Sequence, residues 1–270
     1  MEYFWPRNQR CISTLGTAEC SLPKLNQLCD EFEIPLLELR ALENRLDLSD
    51  YFTEKFGSAE RLRAASLDWV FQVRVLDSSC RLIEEGGVER PELLALAKWA
   101  DALNCPWIRV FDGGGFQPEA CQEDLQKAAD CIAWWRAQRK EKGFACDILV
   151  ETHDLLCSSH NCLALQKHLD EPVGLLWDSW HIWFENGEAL EETWKSLKPY
   201  VKHIHFKDGN KIPSTKHPYT YTLPGEGVFP LTELMTMLKQ SDYSQAICLE
   251  WERKWHEDLP PVDRALSILC

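Results

Sequence analysis

Four short apolar runs in the second half of the chain each end in a side chain able to hold a metal or move a proton. Asp147-Ile-Leu-Val-Glu151-Thr-His153 ends in Glu and His. Residues 173–177 end in Asp178, with His181 three positions on. Val201-Lys-His-Ile-His205-Phe-Lys207-Asp208 ends in His, Lys and Asp, and Ala246-Ile-Cys-Leu-Glu250-Trp-Glu252 in two carboxylates. A short apolar run closed by an acid is the profile of a buried parallel strand whose C-terminal end opens into a site. Strand side chains alternate faces, so Glu151 and His153 share a face, as do His203, His205 and Lys207, and Glu250 and Glu252. If the strands line a barrel, Glu151, Asp178, His205 and Glu250 point at one place. Three carboxylates and one imidazole make an oxygen-rich donor set. It suits one Mn²⁺ best, with Mg²⁺ or Co²⁺ close behind, and Zn²⁺ also accepts these donors.

The rest of the chain supplies the elements such a site needs. Strand-like runs at 10–15, 34–39, 70–76 and 107–111 precede the four motif-bearing ones. Helical patterns at 21–32, 48–56, 91–103, 118–142, 160–169, 189–197, 231–239 and 262–269 alternate with them. Ser21 is a plausible N-cap, Pro91 opens its helix, and Gly143 stops the longest one. Eight strands with eight helical connections predict a (β/α)8 barrel, α/β in class. No Ser/Gly-rich linker or charge block divides residues 1–270, so the expectation is one domain. Residues 210–229 read as one long irregular loop carrying Gly225-Glu-Gly-Val-Phe-Pro230, of a length that suggests a lid or substrate loop.

Composition limits the partners. With 270 residues, 29 basic and 43 acidic, the net charge is −14, which disfavours nucleic acid. No apolar run reaches the length of a membrane span, and Met1-Glu-Tyr-Phe-Trp-Pro-Arg lacks the order of a signal peptide. Twelve cysteines are scattered with no Cys-x-x-Cys pair, many in apolar runs such as those around Cys11, Cys146 and Cys248. Buried reduced thiols in a cytoplasmic protein are the expectation. A homo-oligomer is compatible with the sequence.

The order Glu151…Asp178-x-x-His181…His205-x-Lys207-Asp208…Glu250, with Gly-Glu-Gly-x-x-Pro before the last strand, resembles the xylose-isomerase-like TIM-barrel superfamily. It is most similar to the sugar phosphate isomerase/epimerase branch, with its ketose 3-epimerases and inosose isomerases and dehydratases. The resemblance covers the whole chain in layout, with its specific motifs in 151–252. It implies that Glu151, Asp178, His205 and Glu250 hold one divalent ion. It also implies that Glu151 and Glu250 move a proton on and off the carbon beside a carbonyl, and that His181 contacts a substrate oxygen. The segment Phe206-Lys207-Asp208 is closer to the inositol-type members than to the epimerases, which usually carry an arginine there. The implied substrate is a small polyhydroxy carbonyl compound, isomerised or epimerised through an enediolate stabilised by the ion. The alternatives are an inosose-type dehydratase and an inactive sugar-binding barrel. A DNA-repair relative of endonuclease-IV type would need extra histidines on the early strands, and runs 34–40 and 70–76 have none.

His153, Lys207, Arg109 and Glu252 are the candidate substrate-binding residues. Each also has a plainer reading. His153 would hydrogen-bond in the barrel wall, Lys207 would pair with Asp208, and Arg109, like Glu38 and Arg40 on the second strand, would pair within the barrel wall. Glu252 competes with Glu250, which comes first at the strand end and is preferred as ligand. His203 lies deeper and reads as a core histidine. Trp107, Trp177, Trp180 and Trp183 sit where a sugar ring could stack. Gly113-Gly-Gly is a turn without the spacing of a nucleotide loop.

Overall fold

The computed structural model describes residues 5–83 and 89–270. Eight parallel strands close into a barrel: β1 (Arg10–Ser13), β2 (Leu36–Leu39), β3 (Gln72–Ile83), β4 (Trp107–Gly113), β5 (Asp147–Glu151), β6 (Gly174–Asp178), β7 (Val201–Phe206) and, after a hairpin, β10 (Ile247–Leu249), which pairs with β7 and β1. The helices are α1 (Leu22–Glu31), α2 (Leu48–Phe56), α3 (Ala59–Ser66), α4 (Arg90–Ala102), α5 (Gln122–Lys142), α6 (Ser159–His168), α7 (Ser179–Glu185), α8 (Leu190–Leu197), α9 (Leu231–Gln240) and α10 (Val262–Leu269). This is the (β/α)8 barrel expected from the sequence.

The departures have local causes. β1 stops at Ser13, whose hydroxyl accepts from Leu15 N and turns the chain into a 3₁₀ segment at Thr14–Thr17. β3 runs to Ile83 rather than residue 76, because after a register shift past Asp77 it keeps pairing with β4 as far as Gly113. α3 buries only Leu62, so it carries no apolar periodicity. It forms after the positive-φ Gly57 because Ser58 caps it. α5 starts at Gln122, behind the cap of Cys121. An antiparallel hairpin of β8 (Asp208–Asn210) and β9 (Thr220–Thr222) frames the long loop; residues 211–219 and 223–229 are irregular, as expected, while 220–222 form a strand.

Two small clusters stand apart from the large core between sheet and helices. Val75, Leu149 and Leu176 pack with Trp107, and Cys11, Ala246 and Cys248 pack with Leu36. Leu149 shares a strand face with Glu151, and Cys248 with Glu250. Both clusters therefore line the barrel interior beneath the strand ends that carry the candidate site. All twelve cysteines are free, and all but Cys121 and Cys270 are buried. Among the described residues no helix is long and apolar enough to cross a membrane.

Candidate metal centre and acid–base site

Four strand ends bring Glu151, Asp178, His205 and Glu250 together: one donor atom from each lies within 4.8 Å of all the others. All four side chains are buried. His205 Nδ1 lies 3.4 Å from Glu151 Oε1 and 3.3 Å from Glu250 Oε2. Its other nitrogen, Nε2, lies 2.7 Å from Glu38 Oε2. Asp178 divides its two oxygens. Oδ1 caps α7 by accepting from His181 N at 2.9 Å, which leaves Oδ2 for the site. Thr152 Oγ1 accepts from Asp178 N, and Ser179 Oγ donates to His205 O, so adjacent strand ends brace one another.

A divalent ion fits this donor set. Glu151 Oε2, Asp178 Oδ2 and His205 Nδ1 are buried and make no aligned hydrogen bond, though each faces a charged group: Arg109 Nε at 3.3 Å, Lys207 Nζ at 2.8 Å, and the Glu151 and Glu250 carboxylates at 3.3–3.4 Å. The fit to an ion therefore rests on the type and convergence of the donors. A carboxylate oxygen and an imidazole nitrogen turned inward are what Mn²⁺ or Zn²⁺ takes.

The surrounding charges are arranged differently from the expectation. Lys207 does not pair with Asp208. Its Nζ lies 2.8 Å from Asp178 Oδ2 and 2.7 Å from Glu252 Oε1, and it also bonds Glu250 Oε2. Burial pulls its pKa down, but Asp178, Glu250 and Glu252 more than restore it, so Lys207 stays an ammonium. Asp208 instead turns outward and accepts from the backbone N–H groups of Gly209, Gly225, Gly227 and Phe229, at 2.7–3.1 Å. It straps the Gly-Glu-Gly segment to the barrel mouth. A Cβ at Gly227 would come within 2.0 Å of Asp208 Oδ1, which is why glycine stands there.

Glu38 pairs with neither Arg40 nor Arg109 but with His205 and His203, the latter at 3.0 Å. Arg109 lies in the wall, 3.2 Å from Asp77 Oδ2 and 3.3 Å from Glu151 Oε2, with its guanidinium over the Phe111 ring. Arg40 donates to Ser79 Oγ. His203 is buried, as expected of a core histidine. His153 is not in the wall. Its side chain is 38% exposed at the mouth, with Nδ1 3.1 Å from Asp154 and its ring edge-on to His181. Burial, then Lys207 and His153, push the His181 pKa down, so His181 is neutral. Its Nδ1 lies 3.3 Å from Asp178 Oδ2. Glu252 stays outside the four-donor group, bonded to Lys207 and to Tyr221 OH at 2.9 Å.

Burial alone would raise every carboxylate here. For Glu151 it is outweighed by Arg109 and His205, and for Glu250 by His205 and Lys207, so both are held below the usual range. Asp178 goes the other way, lifted by burial to about 6. Burial also opposes charge on His205, yet Glu250 and Glu38 hold its pKa well above the ordinary imidazole value.

Trp177 and Trp180 are not available to stack on a sugar. Both are fully buried, Trp177 against Trp194 and Trp180 among Phe184, Tyr219, Tyr221 and Phe229. Trp107 begins β4 and so sits at the opposite end of the barrel. Trp183 is half-buried against Trp180 and Phe229. Three further residues have roles that their places in the sequence do not reveal. Glu38 anchors His205; Tyr221 joins Glu252 from the hairpin; Asp112 holds the loop carrying His153 by accepting from Asp154 N and Leu156 N. A strand ending in Asp, as β4 does in Phe111-Asp112-Gly, was the available signal for the last.

Comparison with known proteins agrees with this architecture. The inosose dehydratase of Bacillus thuringiensis (strain Al Hakam) is 27% identical over 154 residues, 51% of this chain and 50% of the relative. The chain therefore spans about half the length of the curated relatives it matches. The probable 3-DHS dehydratase AsbF of Bacillus anthracis, involved in petrobactin synthesis, superposes with a TM-score of 0.74 at 19% identity, over 100% of this chain and 98% of that one. The IOLI protein with a bound zinc atom gives 0.71 at 16%, over 97% and 95%. A D-tagatose 3-epimerase-like protein gives 0.66 at 15%, over 97% and 98%. At such identities these likenesses speak for the fold. The family model for the xylose isomerase-like TIM barrel matches residues 40–269, and this chain belongs to that family.

Proposed function

We propose that this chain is a divalent-metal-dependent enzyme that moves a proton at the carbon beside a carbonyl, isomerising or epimerising a small sugar, sugar phosphate or inosose. The carrying observation is the convergence of Glu151, Asp178, His205 and Glu250 on one place at the strand ends. These four residues would hold the ion. Bound there, it supplies Lewis-acid polarisation of a carbonyl and its neighbouring hydroxyl. The chain's own residues do the rest. Glu151, ionised beside Arg109, takes the carbon-bound proton. On the other side Lys207 gives up a proton through its hydrogen bond to Glu250, and Glu250 passes it to the carbon, leaving Lys207 neutral until the proton taken by Glu151 is exchanged back through solvent. Neutral His181 donates a hydrogen bond to a substrate oxygen. His153, Lys207 and Glu252 position the remaining hydroxyls, while Arg109, proposed from the sequence as a further contact, holds Glu151 from the wall. A disulfide-free chain with ten buried thiols suits the cytoplasm.

A second reading, β-elimination of water, is favoured by the relatives called inosose dehydratase. It is also favoured by Lys207, an ammonium within reach of the carboxylates that can protonate a departing hydroxyl. The metal-loaded protein is incubated with ketoses and inososes in D₂O and the recovered compounds are read by NMR. Deuterium beside the carbonyl with an epimer or isomer supports the first reading, and a dehydrated ketone supports the second. No exchange into any bound ketose or inosose overturns both.

A further inference from the structure

Beneath the four-donor site lies a second group of potential ligands. Glu38, His203, His205 and Cys248 each offer a donor atom within 4.8 Å of the others, and all four are buried. The two groups share His205 but use opposite ring nitrogens. Nδ1 faces Glu151 and Glu250, whereas Nε2 faces Glu38. We propose that Glu38, His203, His205 Nε2 and Cys248 form a distinct soft-donor site for a zinc-like ion inside the barrel, alternative to the oxygen-rich site above it. It goes beyond the proposed function but shares its histidine.

The donor chemistry separates the two sites. The upper one offers three carboxylates and one imidazole. The lower one offers one carboxylate, two imidazoles and one thiolate, a set that selects zinc or cobalt over manganese or magnesium. It also balances charge: a divalent ion with one carboxylate, one thiolate and two neutral imidazoles is neutral overall, the cheapest state for an ion with no access to water. Cys248 would release one proton per ion, since the thiolate is the ligand.

One unsatisfied atom points to a missing partner here. Glu38 Oε1 has no hydrogen-bond partner on a side chain that is 0% exposed. His203 Nε2 already faces Glu38 Oε2 at 3.0 Å, on a side chain that is 1% exposed. Donors tetrahedrally disposed around zinc stand about 3.3–3.7 Å apart. The observed 2.7 Å between Glu38 Oε2 and His205 Nε2 must therefore open by about half an ångström. Turning Oε1 into the site is the small motion that would do it.

The shared histidine couples the sites. A neutral imidazole has one free nitrogen lone pair. With the proton on Nε2, it is donated to Glu38 and Nδ1 serves the upper site. With the proton on Nδ1, it is donated to Glu151 or Glu250 and Nε2 serves the lower site. Occupancy of one site therefore opposes occupancy of the other.

Cobalt(II) is the probe, because thiolate ligation adds an intense charge-transfer band in the near ultraviolet that oxygen and nitrogen donors do not give. The expected result is that band on the wild type, its loss in C248S, and its increase in D178N. The last variant weakens the upper site while Asn keeps the α7 cap. Zinc-edge X-ray absorption on unmutated protein, showing a Zn–S distance of about 2.3 Å, gives the same answer without reliance on a variant's folding. Cobalt binding with no thiolate band in wild type or D178N overturns the lower site and leaves the upper one standing. A band surviving in C248S assigns the thiolate elsewhere and also overturns it. A band in D178N supports the lower site even if no ketose or inosose is ever turned over.

Discussion

The barrel interior beneath the site has two unlike halves. On the β3–β6 side, Val75, Leu149 and Leu176 pack as hydrocarbon above Trp107. On the β7–β10–β1–β2 side stand His203, Cys248, Cys11 and Glu38. Glu151 and Asp178 rise from the first half, His205 and Glu250 from the second. The difference follows from what each ligand needs. A carboxylate has two equivalent oxygens, so a strand end in the right place suffices, and hydrocarbon supplies position. An imidazole has two inequivalent nitrogens and needs a hydrogen-bond partner to fix its tautomer and ring plane. Glu38 supplies that partner, at the cost of burying a charge and a second histidine to share it. The contrast belongs to the deepest layer: above the hydrocarbon, the buried Asp77–Arg109 pair of β3 and β4 reaches Glu151 at 3.3 Å.

The sharpest break in the comparison comes at the ligands themselves. Under the proposed function, Glu151→Gln and Glu250→Gln keep an oxygen donor but remove the proposed base, so turnover should fall by ~10²–10⁴-fold while some metal and substrate binding survives. Single-turnover exchange in D₂O measures it. Equal exchange in both variants and wild type would move the base to His181 or Lys207. Next comes the hydrocarbon half. Leu149→Ala leaves a cavity and lowers stability by about 2–5 kcal/mol in denaturant titration. Because the apolar half supplies placement alone, metal affinity per folded molecule should hardly change. A large loss of affinity would mean that packing there also orients the ligands.

The same contrast explains what was legible in the sequence. Glu151, Asp178, His205 and Glu250 could be read because each ends an apolar run, and period-two alternation turns them all inward. The barrel could be read because eight such runs alternate with helical ones. The partners could not. Alternation puts Lys207 on the face of His205 and Asp208 on the other, which already speaks against their pairing, but it does not name Asp178, 29 residues earlier, as the partner. Asp208 in fact turns outward to the backbone of 225–229. Glu38 is separated from His205 by 167 residues and touches it only because β1 and β10 close the barrel between their strands. Trp177 and Trp180 looked available because they flank Asp178. One lies on the opposite strand face, and the other on the inward side of a short helix absent from the reading.

A smaller effect should follow at the polar half. Glu38→Gln keeps the shape but removes the charge that holds Nε2–H, and the upper ion's affinity should fall about 10–100-fold, the usual cost of losing such a partner. Isothermal titration with Mn²⁺ and Zn²⁺ measures it. An unchanged affinity would show that β7 alone sets the ring, and the division between the two halves would lose its meaning for the site.

The smallest effect is one of pH, and its sign differs between ion binding and stability. Glu250, Glu38 and Glu151 hold the His205 pKa above its ordinary value of about 6.5. An ion must displace that proton, so affinity should climb by up to about tenfold per pH unit through and above neutrality. Stability of the chelator-treated protein runs the other way. A group whose pKa is raised by folding contributes fully below its unfolded value, and the contribution is lost as pH rises through the folded one. Glu38, held below the carboxylate range once His205 and His203 outweigh burial, contributes above about 4.3, and that is lost on acidification. The Glu38–His205 pair is therefore worth most between those limits. Raising the pH from neutral should weaken the stripped protein while it strengthens ion binding. Glu38→Gln removes one of the charges that raise the His205 pKa, so its binding profile should shift to lower pH, whereas Leu149→Ala should leave the profile where it was. Parallel shifts in both variants would mean that general loosening, rather than the charge on Glu38, sets the proton competition.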